Sequence, residues 1–449
     1  MKLKLNEVYR VFNTGFSGTD AAVAGICTDT RKIKKGDIFF ALIGETDGHM
    51  YAAKAFNAGA AALVVQKYAE GVEIARQIKV KDTTAALLTL ASYYYGKFSG
   101  IKCAAVTGSN GKTTTKELLA AILGEKYQTL KSEKSFNNAI GLPQTIFRLD
   151  KKTEAAVFEI GMNHAGEIKN LVSAIEPGVA VITNIGRAHI GFFRDGLAGI
   201  ARAKAEIFTG VKAGGTAVLN ADDRFFGFLA GKAKKKKLKI VTFGLKNQAD
   251  VKVESFEPAG NGTGFRVNCL KEKLFMKLKG EHNLYNAAAA IAAALALDVP
   301  GAAVKKGLGK FEMEGFMRFE EIRLKSGALL INDCYNANPD SFTASIEAVK
   351  KEGFKPLIAV MGDMLELGKN AASMHVEIGK KFRELPLKKF FVYGSHAGSV
   401  KKGYGAGAEI YKDRAKLGAA LKASVKKGDT VFVKGSRGNK LEEITEILK

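Results

Sequence analysis

Between Val106 and Lys116 the chain reads V-T-G-S-N-G-K-T-T-T-K, directly after the apolar stretch Ile101, Cys103, Ala104 and Ala105. A buried strand, a glycine turn and a helix start in that order constrain the fold strongly. The turn must aim successive backbone N–H groups into open space at the carboxyl end of the strand. Gly108 and Gly111 permit the turn, the helix beginning near Lys112 adds the positive end of its dipole, and Lys112 adds a full charge. Ser109, Asn110 and Thr114 complete the cradle, and Thr113 stands where phosphate loops place the hydroxyl that holds Mg²⁺. The run reads as a seat for nucleotide phosphates. A full phosphate loop carries a further glycine five positions before its Gly-Lys pair; Val106 stands there, so this is the shorter form T-G-x-x-G-K-T-T.

At 449 residues, 47% of them hydrophobic and only 7 of them proline, the chain is long enough for two to four folded domains. Cys27, Cys103, Cys269 and Cys334 lie far apart with no C-x-x-C pair, which suggests neither a zinc site nor a disulfide framework. Cys103 and Cys269 sit in strand-like runs. The N-terminal MKLKLNEVYRVF is charged, and no window approaches bilayer-spanning length, so a soluble, unexported protein of a reducing cytoplasm is expected. The net charge of +24 is the oddity. Its densest cluster, Lys232, Lys234, Lys235, Lys236, Lys237 and Lys239, has no interleaved aromatics of the kind that stack bases. A solvated surface run and a polyanion site both fit that cluster; the excess charge as a whole favours an anionic small substrate.

Three parts follow one another. Residues 1–81 alternate short strands and helices: Asp37 to Leu42 is strand-like, Met50 to Ala58 has helical spacing, and Ala61 to Val65 is a second strand. Residues 82–299 alternate more regularly, with strands expected near 102–107, 155–160, 179–184, 216–220 and 239–243, the pattern of a mostly parallel sheet covered by helices. His282 to Leu297 is a helix ended by Asp298, Val299, Pro300 and Gly301, where the next boundary is set. Residues 300–449 restart the alternation, with strands near 328–333, 356–361, 389–393 and 429–433 and helices near 341–351, 373–383, 413–424 and 440–448. The fold class is α/β in three domains: a small N-terminal one, a central phosphate-loop domain and a C-terminal Rossmann-like one.

Chemistry in open α/β sheets gathers outside the carboxyl ends of the strands. Glu159 ends the strand A-A-V-F-E, at the height where a carboxylate reaches a phosphate-bound Mg²⁺, and Asn163 and His164 follow it. His189 closes T-N-I-G-R-A-H, where small neighbours leave it room to face the site; a core or surface histidine is the other reading. Lys204 and Glu206 lie on the next helix, where spacing alone does not distinguish them from a solvent-facing charge pair.

The phosphate loop together with S-F-N-N-A-I-G-L-P (Ser135 to Pro143), E-I-G-M-N-H-A-G-E-I (Glu159 to Ile168), N-I-G-R-A-H (Asn184 to His189) and A-K-A-E-I-F (Ala203 to Phe208) resembles the Mur ligases, the ATP-dependent amide-forming enzymes of peptidoglycan precursor assembly. G-E-H-N-L-Y-N-A-A-A-A (Gly280 to Ala290), D-C-Y-N-A-N-P-D-S (Asp333 to Ser341), V-M-G-D-M-L-E-L-G (Val360 to Gly368) and V-K-G-S-R (Val433 to Arg437) are similar to the members that add D-alanyl-D-alanine. The stretch Thr28 to Glu45 resembles the uridine-nucleotide-binding domain of such enzymes. The resemblance covers nearly the whole chain. It implies that D-alanyl-D-alanine is joined to UDP-N-acetylmuramoyl-tripeptide through an acyl phosphate, at the cost of ATP and with two Mg²⁺.

The same resemblance implies roles residue by residue. Lys112, His189 and Lys204 would be catalytic, with Lys204 matching a lysine that is carbamylated in several members; Thr113, Glu159 and His189 would hold Mg²⁺. His282, Asn283 and Asn286 would meet the adenine, although helix capping also fits them. Arg318 would reach the nucleotide phosphates from the last domain and Asp333 would stand near the ribose; Met317 replaces a usual glycine there. Asp29, Thr30 and Arg31 would grip the UDP sugar, Asn137 and Asn138 the bridging region, and Asn336, Asn338 and Arg437 the acceptor, with Asp363, His375 and Ser436 as further candidates. A surface histidine is the alternative for His375. A monomer is expected, with no nucleic-acid partner and no membrane insertion. Two rival readings stay open: a Mur-type ligase adding the third residue, and an ATP-switched nucleic-acid-binding protein.

Overall fold

The structure is a computed structural model that describes residues 1–312 and 315–449. Among these residues the strands form three sheets. The first is parallel, ordered Ile26–Cys27, Ile38–Phe40, Ala62–Val65 and Gln77–Lys79. The second runs Leu274–Met276, Gly262–Val267, Val251–Ala259, Lys239–Gly244, Thr216–Asn220, Val179–Ile182, Lys102–Thr107, Ala155–Glu159 and Thr129–Lys131. All its pairings are parallel except those of the hairpin strands Gly262–Val267 and Leu274–Met276. The third is ordered Glu320–Arg323, Leu329–Asp333, Thr430–Lys434, Leu357–Gly362, Leu387–Tyr393 and Ala408–Tyr411, with only its first strand antiparallel among them.

The central strands are short apolar runs such as Val179–Ile182, buried throughout, because helices cover both faces of the sheet. Lys102–Thr107 is flanked by Val179–Ile182 and Ala155–Glu159, and the chain leaves it towards opposite edges of the sheet. That reversal opens a crevice at its carboxyl end. The phosphate loop fills the crevice and leads into the helix Lys112–Gly124.

One apolar cluster joins the first sheet to one face of the second, through Leu87, Leu90 and Tyr94 of the helix Thr83–Tyr95. Asp82 caps this helix, its carboxylate accepting from Thr84 N at 2.7 Å and Ala85 N at 3.0 Å, which stabilises it by about 1 kcal/mol. Tyr94 ties the layers further by donating to Leu149 O at 2.9 Å.

The expected strands and helices form, with ends displaced by a few residues. The hairpin strands of 251–276, the short strands Gln77–Lys79 and Ala408–Tyr411 and the helix Ala397–Tyr404 are additional. Helix Gly301–Lys310 follows the boundary expected at 300, yet it packs on the central domain. A Cβ at Gly307 would lie 2.6 Å from Ile122 Cα, and Val304, Leu308 and Phe311 belong to the apolar cluster under the helix Lys112–Gly124. Cys269 lies in a turn and is exposed. No helix among the described residues is long and apolar enough to cross a membrane.

Candidate active site

The crevice widens into a cavity of about 730 Å³ between the central sheet and the third domain. Its floor is the phosphate loop. Gly108 (φ +151°) and Gly111 (φ +81°) take backbone conformations that suit glycine, and a Cβ on either would overlap Thr183 or Asn286. The loop is anchored from the next strand end: Ser109 N donates to Asn184 O at 2.9 Å, Asn110 N to Asn184 Oδ1 at 2.9 Å, and Ser109 Oγ to Gly186 O at 2.9 Å. Lys112 curls back so that its Nζ donates to Gly108 O at 2.9 Å. Burial pushes its pKa down, and the Glu159 carboxylate opposes that shift.

Glu159 is almost fully buried at the end of its strand. Its Oε1 accepts from Asn137 Nδ2 at 2.8 Å, whereas the buried Oε2 has no hydrogen-bond partner. Lys204 lines the same cavity at 2% exposure. Burial holds its pKa well below the usual lysine range, and the nearby Lys112 charge adds to the shift. Lys204 and Glu206 do not form the solvent-facing pair that helix spacing allowed: the Glu206 carboxylate turns to Gly166 N (2.8 Å) and Lys169 N (3.2 Å). His189 takes a left-handed conformation (φ +60°) that brings its ring to the cavity wall. Its Nδ1 lies 2.5 Å from Glu366 Oε2, out of line for a well-formed hydrogen bond. The ring holds the Glu366 carboxyl below its usual range.

The helix Glu281–Ala296 supplies another wall. Its N-cap is Gly280, so the asparagines are not caps: Asn283 Nδ2 donates to Lys279 O at 2.8 Å, and Asn286 Nδ2 to Asn283 Oδ1 at 3.0 Å. Burial lowers the His282 pKa to about 4, leaving a neutral imidazole at the cavity edge. From the third domain, Arg318 Nη2 donates to Thr113 Oγ1 at 2.9 Å, and Asn338 Nδ2 to Asn110 Oδ1 at 2.7 Å. Asn338 Oδ1 also caps the helix Pro339–Glu352, accepting from Asp340 N and Ser341 N. Asp333 is engaged within its own domain by Phe319 N, Ser345 Oγ and Lys434 Nζ, the last two at 2.6 Å. Asn336 lines the cavity with an exposed side chain.

Thus Ser109, Asn110, Gly111, Lys112, Thr113, Thr114, Asn137, Glu159, His189, Lys204, His282, Asn283, Asn286, Arg318, Asp333, Asn336 and Asn338 meet around one space, with Gly108 behind the loop. Others do not line it. Asn138 accepts from Ile140 N and Gly141 N in a local turn. Asp29 and Arg31 pair with each other at 2.8 Å on the first domain, next to Thr30. Arg437 is exposed, 3.7 Å from Glu442. His375 is a fully buried histidine, donating to Ala371 O and accepting from Met364 N; Asp363 accepts from Ser395 and His396 N, and Ser436 Oγ donates to Ala337 O.

Sequence reasoning missed the clasp between domains. Arg187 N and Nε donate to the Asp340 carboxylate at 2.6 and 2.8 Å, and Nη1 donates to Glu377 at 2.8 Å. Arg187 stood inside a motif already singled out, but its partners are more than 150 residues away in sequence, and no local signal marks them. Replacing Arg187 by Met is expected to cost the docked arrangement about 1 kcal/mol, the upper end for solvent-accessible ion pairs, because the three side chains are partly solvated. Small-angle scattering should register it as a larger radius of gyration; an unchanged profile would count against the clasp.

The fold and site have counterparts. Residues 106–294 match the Mur ligase middle domain, and residues 317–437 match the family described as "Mur ligase, glutamate ligase domain". The UDP-N-acetylmuramoyl-tripeptide–D-alanyl-D-alanine ligase of Bacillus subtilis is 37% identical over 436 residues, 95% of this chain and 93% of that protein. A crystal structure of MurF from Acinetobacter baumannii superposes with a TM-score of 0.91 at 31% identity, covering 99% of this chain and 98% of that one. MurF from Thermotoga maritima, solved in complex with ADP, superposes with a TM-score of 0.82 at 28% identity, covering 94% and 96%. Similarity of this extent, running through all three domains, means that the chain belongs to the Mur ligase family and, within it, to the UDP-N-acetylmuramoyl-tripeptide–D-alanyl-D-alanine ligases.

Proposed function

We propose that this chain joins D-alanyl-D-alanine to UDP-N-acetylmuramoyl-tripeptide with conversion of ATP to ADP and phosphate, producing the UDP-linked pentapeptide precursor of peptidoglycan. The observation that carries the reading is the cavity in which the phosphate loop, Glu159 and Lys204 face Arg318, Asn336 and Asn338 of another domain. A carboxylate is a poor acyl donor because its leaving group would be oxide. Its attack on the γ-phosphate of ATP yields an acyl phosphate and ADP; the dipeptide amine then adds to the carbonyl, loses a proton, and phosphate departs.

The first step brings two anions together, so the site must supply cations. Lys112, next to Thr113 in the loop, and Arg318, which donates to the Thr113 hydroxyl, are two of the protein's own. Mg²⁺ fits beside them: Glu159 Oε2 is a buried carboxylate oxygen with no hydrogen-bond partner and with the Lys116 ammonium, 3.9 Å away, as a counter-charge, and the Thr113 hydroxyl and the His189 ring offer further donors. When bound, it would draw charge off the phosphates and the attacking carboxylate. Asn137 orients Glu159 through Oε1 and leaves Oε2 without a hydrogen bond. Burial disfavours the charged form of Lys204, which favours the free amine that attacks CO₂; forming the N–C bond and losing a proton would give a carbamate whose oxygens carry negative charge into the cavity. Asp29, Thr30 and Arg31 on the first domain would hold the UDP sugar and Asn138 would support the bridging loop, while Arg437 would meet the dipeptide carboxylate. A monomer working in the cytoplasm completes the reading.

Phosphate release should require ATP, UDP-tripeptide and D-alanyl-D-alanine together, with the UDP-pentapeptide as the product seen by mass spectrometry. Turnover of UDP-dipeptide with a free diamino acid would instead identify a third-residue ligase. ATP turnover without any acceptor, with salt-sensitive nucleic-acid binding, would overturn the ligase reading altogether.

A further inference from the structure

Tyr335 carries two guanidinium groups on one ring. The Cζ of Arg318 lies 4.0 Å from the ring centroid and that of Arg437 lies 5.8 Å from it, each over the ring. Both distances are within reach of the attraction between a cation and an aromatic face. Stacking uses the face of a guanidinium and leaves its in-plane donors free for an anion. Arg318 spends one of them on Thr113, and its buried Nε has no hydrogen-bond partner.

The turn that presents Arg318 is an unfavourable one. Met317 (φ +51°) and Phe319 (φ +53°) on either side of it are both left-handed without being glycine. Such backbone persists only where the surroundings impose it. Here Tyr335 N donates to Met317 O at 3.1 Å and Phe319 N donates to Asp333 Oδ1 at 3.2 Å. Tyr335 therefore holds the turn by its backbone and the guanidinium by its ring. It lines the cavity beside Arg318, whereas Arg437 stands outside the cavity wall.

We propose that Tyr335 is a positioning residue whose ring sets both arginines, aiming Arg318 at the nucleotide phosphates and Arg437 at the carboxylate of the incoming dipeptide. The Arg437 half rests on the ligase reading above; the Arg318 half needs only nucleotide binding. Two like charges are thereby kept close on the two substrate sides, with the electron-rich ring face offsetting their repulsion.

The test uses the full chain with Tyr335→Leu and Tyr335→Gln, which both lack the aromatic face, so that one folded variant suffices, and Tyr335→Phe, which keeps it. Loss of the ring is expected to weaken ADP binding, measured by calorimetry, about five- to tenfold and to raise the KM for D-alanyl-D-alanine by a similar factor. Tyr335→Phe should recover most of both losses. A purely structural role would lower the melting temperature and the active fraction while moving neither constant. Both constants staying within about twofold in the ring-less variants, or Phe proving as damaging as Leu, would overturn the proposal. A shift in ADP binding without one in the dipeptide KM would overturn its Arg437 half. Failure of the wild-type enzyme to use D-alanyl-D-alanine would refute the ligase reading separately, and the ADP measurements would still decide the role of Tyr335.

Discussion

Replacing Lys112 by Ala is expected to lower kcat on the order of 10²- to 10³-fold, the usual consequence of removing a charge partner that acts on the transition state. The side chain is the one full positive charge on the phosphate loop itself, and its Nζ already points along the loop carbonyls, 2.9 Å from Gly108 O and 3.5 Å from Ser109 O. The loop does not depend on it for shape. Ser109 and Asn110 are held from Asn184 and Gly186, and Gly111 packs against Asn286. The variant should therefore melt close to the wild type while losing turnover, and calorimetry beside a phosphate-release assay separates the two effects. Near-normal turnover in a folded Lys112→Ala variant would remove the loop from the chemistry.

Lys204→Ala is expected to lose about 10- to 100-fold in activity, the range for an outer group that orients a metal or its ligands. Wild-type enzyme depleted of CO₂ should lose activity and regain it on adding bicarbonate, and the variant should not respond. The reason is burial. At 2% exposure and beside Lys112, the amine is held well below its ordinary pKa, which favours the neutral, nucleophilic form relative to an exposed lysine. Lowering the pH protonates it and should slow reactivation. The sign for stability follows from the same shift: between the depressed native pKa and the ordinary lysine value of 10.5, the unfolded chain binds a proton that the native site excludes, so this group makes stability rise with pH. Indifference of the wild type to CO₂, together with no added CO₂ in its intact mass, would remove the carbamate from the mechanism.

Much of the fold was legible because parallel strands under two helical layers are continuous apolar runs. Val179–Ile182 and Thr430–Lys434 are of this kind. The strand Val251–Ala259 was missed for the converse reason: it leaves the body of the sheet for a hairpin, is exposed from Glu254 to Pro258, and shows no such run. The break at Asp298, Val299, Pro300 and Gly301 does end the helix Glu281–Ala296, and Pro300 at the same time stands at the N-cap of Gly301–Lys310, where a fixed φ and a missing N–H suit a helix start. In the site, Lys204 was a residue whose direction the sequence left open, because helical spacing around it gives no clear polar face; burial in a particular packing decides it.

The sequence by itself determined the phosphate seat and the chemistry it serves. A glycine turn, a lysine and a hydroxyl act through neighbours within a few positions, so their geometry follows from local backbone rules. Only the tertiary structure decided what faces that seat. Arg318 meets Thr113 across 205 residues, Asn338 meets Asn110 across 228, and Arg187 meets Asp340 across 153. These contacts exist because separately folded sheets dock as bodies. The placement of those bodies is set by the packing of their surfaces, which no periodicity or short motif encodes.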